Sequence, residues 1–257
     1  MASAKKTAII TVCDNFFDKL KIGIGQASAI ALSKAGWNVV LIARREDKLK
    51  ETENQCPGEG KLVLPGDVTN EEFVQNSFQQ AFSTFGRIDL VFNNAGTGPP
   101  PTPIEDMTLE TFRQTLDVNV VGPFLCTREA VKIFKRQEPN GGRIINNGSI
   151  SAHVPRPHMV AYATTKHATT GLTKCTVLDG RKYNVTATQL DVGNTSSVLT
   201  STFSAGTLQA DGRVMPEPVM DVEDVANTVV YIASLPNSTT MLEVTVLPTQ
   251  MPFVGRG

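Results

Sequence analysis

The sequence predicts a single-domain, doubly wound α/β fold over residues 1–257: a mostly parallel sheet of about seven strands with helices on both faces. Three observations predict it. Short runs rich in Val, Ile and Leu alternate with segments of helical period from one end of the chain to the other. The strand runs are apolar at successive positions rather than every second one, as strands covered on both faces are. No internal repeat, low-complexity tract or linker divides the chain.

The elements follow in order. Thr7 to Val12 is a β-branched, apolar strand run, and Gln26 to Lys34 carries Ala27, Ile30 and Ala31 at helical spacing. Asn38 to Ile42 and Lys61 to Leu64 are the next two strands. Thr69 with Glu72 three residues on reads as a capping box, opening a helix with Val74, Phe78, Ala81, Phe82 and Phe85 on one face. Ile88 to Phe92 is a strand, and Val120 to Phe134 a helix with a stripe at Val120, Phe124, Val131 and Phe134. Arg143 to Asn146 (strand), Val160 to Asp179 (helix), Val185 to Leu190 (strand), Val222 to Ala233 (helix) and Leu242 to Leu247 (strand) complete the alternation. The proline clusters at Pro99 to Pro103 and at Pro216 and Pro218 read as surface loops. Sheets of this kind bind ligands beyond the C-terminal strand ends, near the point where strand order reverses.

Composition narrows the function. A formal net charge of -1 gives no basic footprint for nucleic acid, and 40% hydrophobic residues allow a sizeable core. Cys13, Cys56, Cys126 and Cys175 lie far apart without a CxxC pair, so neither a zinc site nor a disulfide framework is expected, and no histidine, cysteine and carboxylate cluster supports a metal. The N-terminal apolar run is too short for a signal peptide, and no stretch approaches the ~20 apolar residues of a membrane span. A cytoplasmic protein acting on a small molecule is the expectation.

The central chemistry-bearing residues, Ser149, Tyr162 and Lys166, lie in the C-terminal half. Tyr162 and Lys166, four apart in a predicted helix, share one face. A tyrosine ordinarily titrates near 10, too high for an efficient base at neutral pH, and a nearby ammonium favours its phenolate. Such a pair is a reasonable proton relay. Alone, the pattern is common on solvated helix faces. Ser149, thirteen residues before Tyr162 at a predicted strand end, adds a hydroxyl that can hold a substrate oxygen. Asn119 opens the helix that follows Leu116, and Asn93-Asn94-Ala95-Gly96 ends a strand. A hydrolase reading of Ser149 with a histidine fails because the nucleophile elbow Gly-x-Ser-x-Gly is absent.

Together, Asp67-Val68, Asn93-Asn94-Ala95-Gly96, Asn119, Ser149, Tyr162 and Lys166 resemble the short-chain dehydrogenase/reductase family, in its order and roughly its spacing, over nearly the whole chain. The resemblance implies a Rossmann fold and hydride transfer between a nicotinamide cofactor and an alcohol or ketone. It implies Tyr162 as general acid/base and Lys166 as the residue that tunes it and holds the nicotinamide ribose. Ser149 would orient the substrate, and Asn119 would anchor a water in the proton relay. A homo-oligomer, dimer or tetramer, is also implied.

The cofactor motif departs from the family. The family's first strand ends in Thr-Gly-x-x-x-Gly-x-Gly, where glycine lets the backbone approach the pyrophosphate. Here Thr11 is followed by Val12, and Gly23-Ile24-Gly25 matches the motif's end only after a segment, 12–22, that is seven residues longer. Three explanations stand: a sequence artefact such as a mistranslated splice boundary, an insertion that bulges outward and leaves Gly23, Ile24 and Gly25 at the phosphates, or an insertion that abolishes cofactor binding. The last would make the chain a catalytically silent Rossmann-type binding or scaffold protein with a disrupted phosphate loop. Arg44, after the second strand, stands where NAD-preferring relatives carry an acid and suits a 2′-phosphate, so NADP is expected over NAD. Asp67 and Val68 resemble the adenine-edge contacts and Asn94 the adenosine-side contact. After the sixth strand the family's Pro-Gly-x-x-x-Thr is replaced by Val192-Gly193-Asn194-Thr195-Ser196-Ser197, with Val192, Thr195 and Ser197 expected at the carboxamide and a substrate lid over 194–218. His153 and His158 border the expected substrate pocket but read more plainly as loop histidines, and His167 is expected to point away.

Overall fold

Seven strands pair in parallel in the computed structural model, which describes residues 5–12, 23–196 and 206–254. They are β1 (Thr7–Thr11), β2 (Asn38–Ala43), β3 (Lys61–Pro65), β4 (Leu90–Asn93), β5 (Gly142–Asn147), β6 (Val185–Val192) and, last in the chain, β9 (Glu243–Val246). The order is β3-β2-β1-β4-β5-β6-β9. Between β6 and β9 lies a small antiparallel pair, β7 (Thr207–Leu208) with β8 (Val214–Met215). The chain winds outward from β1 in both directions, so a crevice opens where the order reverses, between β1 and β4.

The helices are α1 (Ile24–Lys34), α2 (Glu46–Gln55), α3 (Glu71–Phe85), α4 (Leu109–Leu116), α5 (Gly122–Arg136), α6 (Val160–Gly180) and α7 (Val222–Ser234). The strands β1 to β6 feed two cores through their alternation. Ala8 and Ile10 of β1, Val39 and Leu41 of β2, and Leu90 and Phe92 of β4 pack with Leu32 of α1 and Val225, Val229 and Ile232 of α7. Ile9, Val40, Ile42 and Val91 face the other way, against Val74 and Phe78 of α3 and Leu125, Ile133 and Phe134 of α5. Burial on both faces is why these strands read as continuous apolar runs.

Local chemistry sets the helix ends. The α3 cap is Asn70, whose Oδ1 accepts from the Phe73 N–H at 2.9 Å. The expected Thr69–Glu72 capping box is therefore corrected: Thr69 instead bonds Asp67 Oδ1 through both its N–H and its hydroxyl. The short Asp67–Thr69 turn captures the threonine before it can cap. A second correction concerns Asn119. It does not open a helix but lies in a π-helical turn, Asp117–Val121, joining α4 to α5 in one helical run. Pro123 explains the turn. It has no N–H to give the carbonyls one turn back, those of Val118 and Asn119, so the ladder widens there. Within α5 the buried face differs from the expected stripe. Phe124 is 47% exposed, while Leu125, Cys126, Ala130, Ile133 and Phe134 are buried.

At the opposite end of the sheet, Arg143 of β5 is buried and donates through Nη2 to the carbonyls of Pro236 at 3.1 Å and Thr239 at 2.9 Å, tying β5 to the chain that leaves α7. Burial lowers its pKa from the usual arginine value.

Candidate active site

The residues singled out by sequence converge at the C-terminal edge of β4, β5 and β6. Ser149 lies two residues past β5, Asn94 directly after β4, and Tyr162 and Lys166 in the first two turns of α6. Lys166 is buried, and its Nζ donates to the Asn147 carbonyl at 2.6 Å and sits 5.4 Å from the Tyr162 ring centroid. The half-buried Tyr162 ring borders Gly98, where an added Cβ would fall 3.6 Å from its edge. The Ser149 hydroxyl accepts from the Ser151 N–H at 3.1 Å.

Asn119 fixes the other wall. Its Oδ1 accepts from the Thr97 N–H at 2.7 Å, and its Nδ2 donates to the Thr97 carbonyl at 2.8 Å and to Thr165 Oγ1 at 3.0 Å. Thr165 in turn donates to the Tyr162 carbonyl at 2.7 Å. Thus Thr97, just after the Asn93–Gly96 turn, the π-helical turn and the first turn of α6 are one hydrogen-bonded unit.

Beneath them, polar side chains lock the strand ends together. Thr11 Oγ1 accepts from the N–H groups of Asn94 and Ala95, both at 2.9 Å. Asn94 Nδ2 donates to the Thr11 carbonyl at 2.9 Å, and Asn147 Nδ2 donates to Asn94 Oδ1 at 3.0 Å. Asn94 thereby binds β1, β4 and β5 to one another. Gly25 packs onto this knot: a Cβ there would fall 2.3 Å from Asn94 Nδ2 and 3.3 Å from the Val12 Cα. Only glycine allows α1 to start so close to the end of β1.

A pocket of about 470 Å³ lies beside the strand ends, bordered by Val12, Arg44, Asp67, Val68, Ala95 and Gly96. Arg44 is exposed at its rim, and Val68 is buried at its wall. Helix α1 opens at Gly23 with no side-chain cap and no acidic residue in its first turn, so among the described residues its own first turn carries nothing that neutralises its positive end. The size and place of the pocket, its mixed lining and that helix end fit a dinucleotide. Apart from Val12, the segment 12–22 lies outside the described residues, as does Ser197. Val192 ends β6, and Thr195 is buried and bridges to Met220.

Several residues here were not singled out by sequence. Asp191 of β6 is fully buried, and its Oδ2 lies 2.8 Å from His153 Nε2. Ser149, His153 and Asp191 are the residue types of a nucleophilic triad but do not form one, because Asp191 meets Ser149 through its backbone N–H at 2.9 Å. Arg156, in the loop between Ser149 and Tyr162, donates to Glu217 Oε2 at 2.5 Å and to Asn194 Oδ1 at 3.1 Å. Asn194 and Gln209 also donate to Glu217, at 2.7 and 2.8 Å. Burial alone would raise the Glu217 pKa. The bonds from Gln209 and Asn194, with the Arg156 charge, outweigh it and hold the carboxyl below its usual range. A charged residue in a Pro-rich loop gave no signal of this in one sequence.

His158 (φ 62°) accepts from the Thr102 N–H through its carbonyl, and His167 is exposed with Nδ1 2.8 Å from the Ala163 carbonyl. Among the described residues, no three His, Cys, Asp or Glu side chains are grouped to hold a metal ion, and no helix is long and apolar enough to cross a membrane.

A twisted parallel sheet with this crevice, and a Tyr–Lys pair beside it, define a dinucleotide-type α/β oxidoreductase class. Residues 20–207 match the short chain dehydrogenase family. The chain is 31% identical over 223 residues to an L-fucose dehydrogenase of Bos taurus, covering 82% of this chain and 79% of that protein. Its fold matches a 3-ketoacyl-(acyl-carrier-protein) reductase of Brucella melitensis solved with NADH, at TM-score 0.82 and 25% identity, covering 95% and 98% of the two chains. A metagenomic short-chain oxidoreductase solved with NADP shares the fold at TM-score 0.76 and 24% identity, covering 96% and 99%. The chain belongs to the short-chain dehydrogenase/reductase family, and it is an oxidoreductase of that NAD(P)-dependent type.

Proposed function

We propose that this chain is an NADP-dependent oxidoreductase that interconverts a carbonyl and a secondary alcohol on a small molecule. The observation that carries the reading is the convergence of Ser149, Tyr162 and buried Lys166 at the strand ends beside the dinucleotide-sized pocket. A nicotinamide cofactor, when bound, supplies or accepts the hydride.

The chain's own residues do the rest. The Ser149 hydroxyl holds the substrate oxygen, and the Tyr162 hydroxyl gives that oxygen a proton in reduction and takes it back in oxidation. Lys166 brings a fixed positive charge to the tyrosine face of α6 and binds the ribose hydroxyls. At Asn119 the π-helical turn leaves the backbone short of one helix donor, which suits a carbonyl that holds a relay water. Gly23, Ile24 and Gly25 serve the pyrophosphate, Arg44 the 2′-phosphate, and Asp67 and Val68 the adenine. Asn94 supports the adenosine side by holding the strand ends, and Val192, Thr195 and Ser197 serve the carboxamide. Segment 194–218 is the substrate lid, fastened to the substrate loop by Arg156 and Glu217. We place the protein in the cytoplasm as a homo-oligomer, dimer or tetramer, and exposed Phe124 and Leu178 on α5 and α6 are compatible with self-association.

A second reading, a catalytically silent Rossmann-type scaffold, is favoured only by Val12, which lines the pocket where the family has glycine. The tight seat of Gly25 on Asn94 and Val12 supports the enzyme, because α1 begins against the strand end although the long 12–22 segment separates the two in sequence. Titration with NADPH followed by fluorescence separates the readings. Saturable binding is expected, and its absence would favour the scaffold.

A further inference from the structure

The site as assigned gives no task to Asp191, a carboxylate with no exposed surface. Its Oδ1 accepts from the Ser149 N–H and from Gln189 Nε2, both at 2.9 Å. Its Oδ2 accepts from the same Gln189 amide at 2.9 Å and lies 2.8 Å from His153 Nε2. An ionised carboxylate out of water is costly unless its lone pairs are taken up, and here they are.

The placement of those bonds is informative. The β5–β6 ladder runs out at Asn147 opposite Leu190. The next N–H, of Gly148, still reaches the Leu190 carbonyl at 2.8 Å. The one after it, of Ser149, has passed the strand end and takes Asp191 as its acceptor. Ser149 is extended (φ −169°, ψ 152°), and the turn from Ile150 to Ala152 ends at His153, whose ring returns to the same carboxylate. Asp191 therefore grips both ends of the turn that presents the Ser149 hydroxyl. Gly148 completes the fit: a Cβ there would stand 2.1 Å from Asp191 Oδ1, so the chain can wrap the carboxylate only with glycine.

We infer that Asp191 is a positioning residue that sets the place of the Ser149 hydroxyl through the Ser149 backbone and the His153 ring. The inference rests on the oxidoreductase reading for its kinetic part and on geometry alone for its anchoring part. Reacting groups displaced by about 1 Å can lose about 100-fold in rate, so a lost anchor has a measurable consequence.

Two readouts test it on the full chain. The first is hydrogen–deuterium exchange of the segment from Arg143 to His153. Asp191→Ala should speed exchange at the Ser149 amide by at least ~10-fold, while Asp191→Asn, which keeps an oxygen acceptor, should retain protection. Gly148→Ala gives the same test with the carboxylate intact and should also speed exchange. The second is a double-mutant cycle on NADPH-dependent ketone reduction. Asp191→Ala should lower kcat by ~10-fold or more, with the NADPH KM within about 2-fold, yet cost less than ~2-fold further in a Ser149→Ala background. Asp191→Asn should stay within ~3-fold of the parent. Unchanged exchange in both Asp191→Ala and Gly148→Ala, or kinetic losses that add fully to those of Ser149→Ala, would overturn the proposal. If Tyr162→Phe leaves turnover intact, the oxidoreductase reading fails instead, and the exchange readout still decides the anchor.

Discussion

The side-chain amide of Asn119 grips the backbone of Thr97 on both sides of its Cα, accepting from its N–H at 2.7 Å and donating to its carbonyl at 2.8 Å. The same Nδ2 reaches Thr165 on α6. One buried amide thus holds the turn after β4, the π-helical turn and the helix of Tyr162 in register. Asn119→Ala removes three hydrogen bonds and leaves the half-buried Thr97 backbone and the buried Thr165 hydroxyl without theirs, which should cost roughly 2–4 kcal/mol. Urea unfolding monitored by circular dichroism would measure it, and a loss within experimental error would show that the grip is incidental.

Arg44 stands exposed at the rim of the pocket, next to Ala43 at the end of β2. A charge-assisted contact to a 2′-phosphate contributes about 1.5–3 kcal/mol, which is ~10-fold or more in binding. Arg44→Ala should therefore raise the NADPH KM by at least that factor and leave the NADH KM nearly unchanged. Equal effects on the two coenzymes would favour an NAD-preferring enzyme.

The sheet was legible because every central strand is buried on two faces, so Ile9-Ile10 and Val39 to Ile42 need no alternation to be read. The candidate site is proposed through Ser149, Tyr162 and Lys166, whose spacing can be read without knowledge of the fold. Other features were not legible. Helix α2 buries only Leu49 and Thr52, too thin a stripe to show as periodicity. The π-helical turn arises from Pro123 acting on the carbonyls behind it, which hydrophobic spacing does not show, and Phe124 lies at the surface of α5. Asp191 did carry a faint signal, a carboxylate inside an otherwise buried strand run. Its partners, Ser149 and His153, are 42 and 38 residues away, so the contact exists only after folding.

Glu217 makes its contact with Arg156 depend on pH. Its folded pKa is depressed below the ordinary 4.5, so its stabilising contribution is complete above that value and is lost as pH falls through the lower folded one. Glu217→Gln should lower stability at pH 7, by about 3 kcal/mol if breaking the buried pair with Arg156 behaves as such pairs usually do. The gap in Tm between parent and variant should then narrow as pH falls below 4.5. A gap that stays constant down to pH 3 would contradict the pairing.

The thiols should separate by depth. Burial, with Glu129 nearby, pushes the Cys126 pKa up to about 12, and burial also raises Cys56, whereas Cys175 is exposed. At pH 8, alkylation mapped by mass spectrometry should label Cys175 promptly and Cys126 and Cys56 only at the rate of unfolding. Prompt labelling of Cys126 in the native protein would contradict the packing of α5.

The most direct test is the turnover of Tyr162→Phe with saturating NADPH and a ketone that the parent reduces. The variant keeps the ring against Gly98 and the charge of Lys166 but has no hydroxyl to move a proton. A fall of ~100-fold to 10,000-fold in kcat, with NADPH binding intact by fluorescence, is the expected result. Turnover at the parent's level would contradict the account.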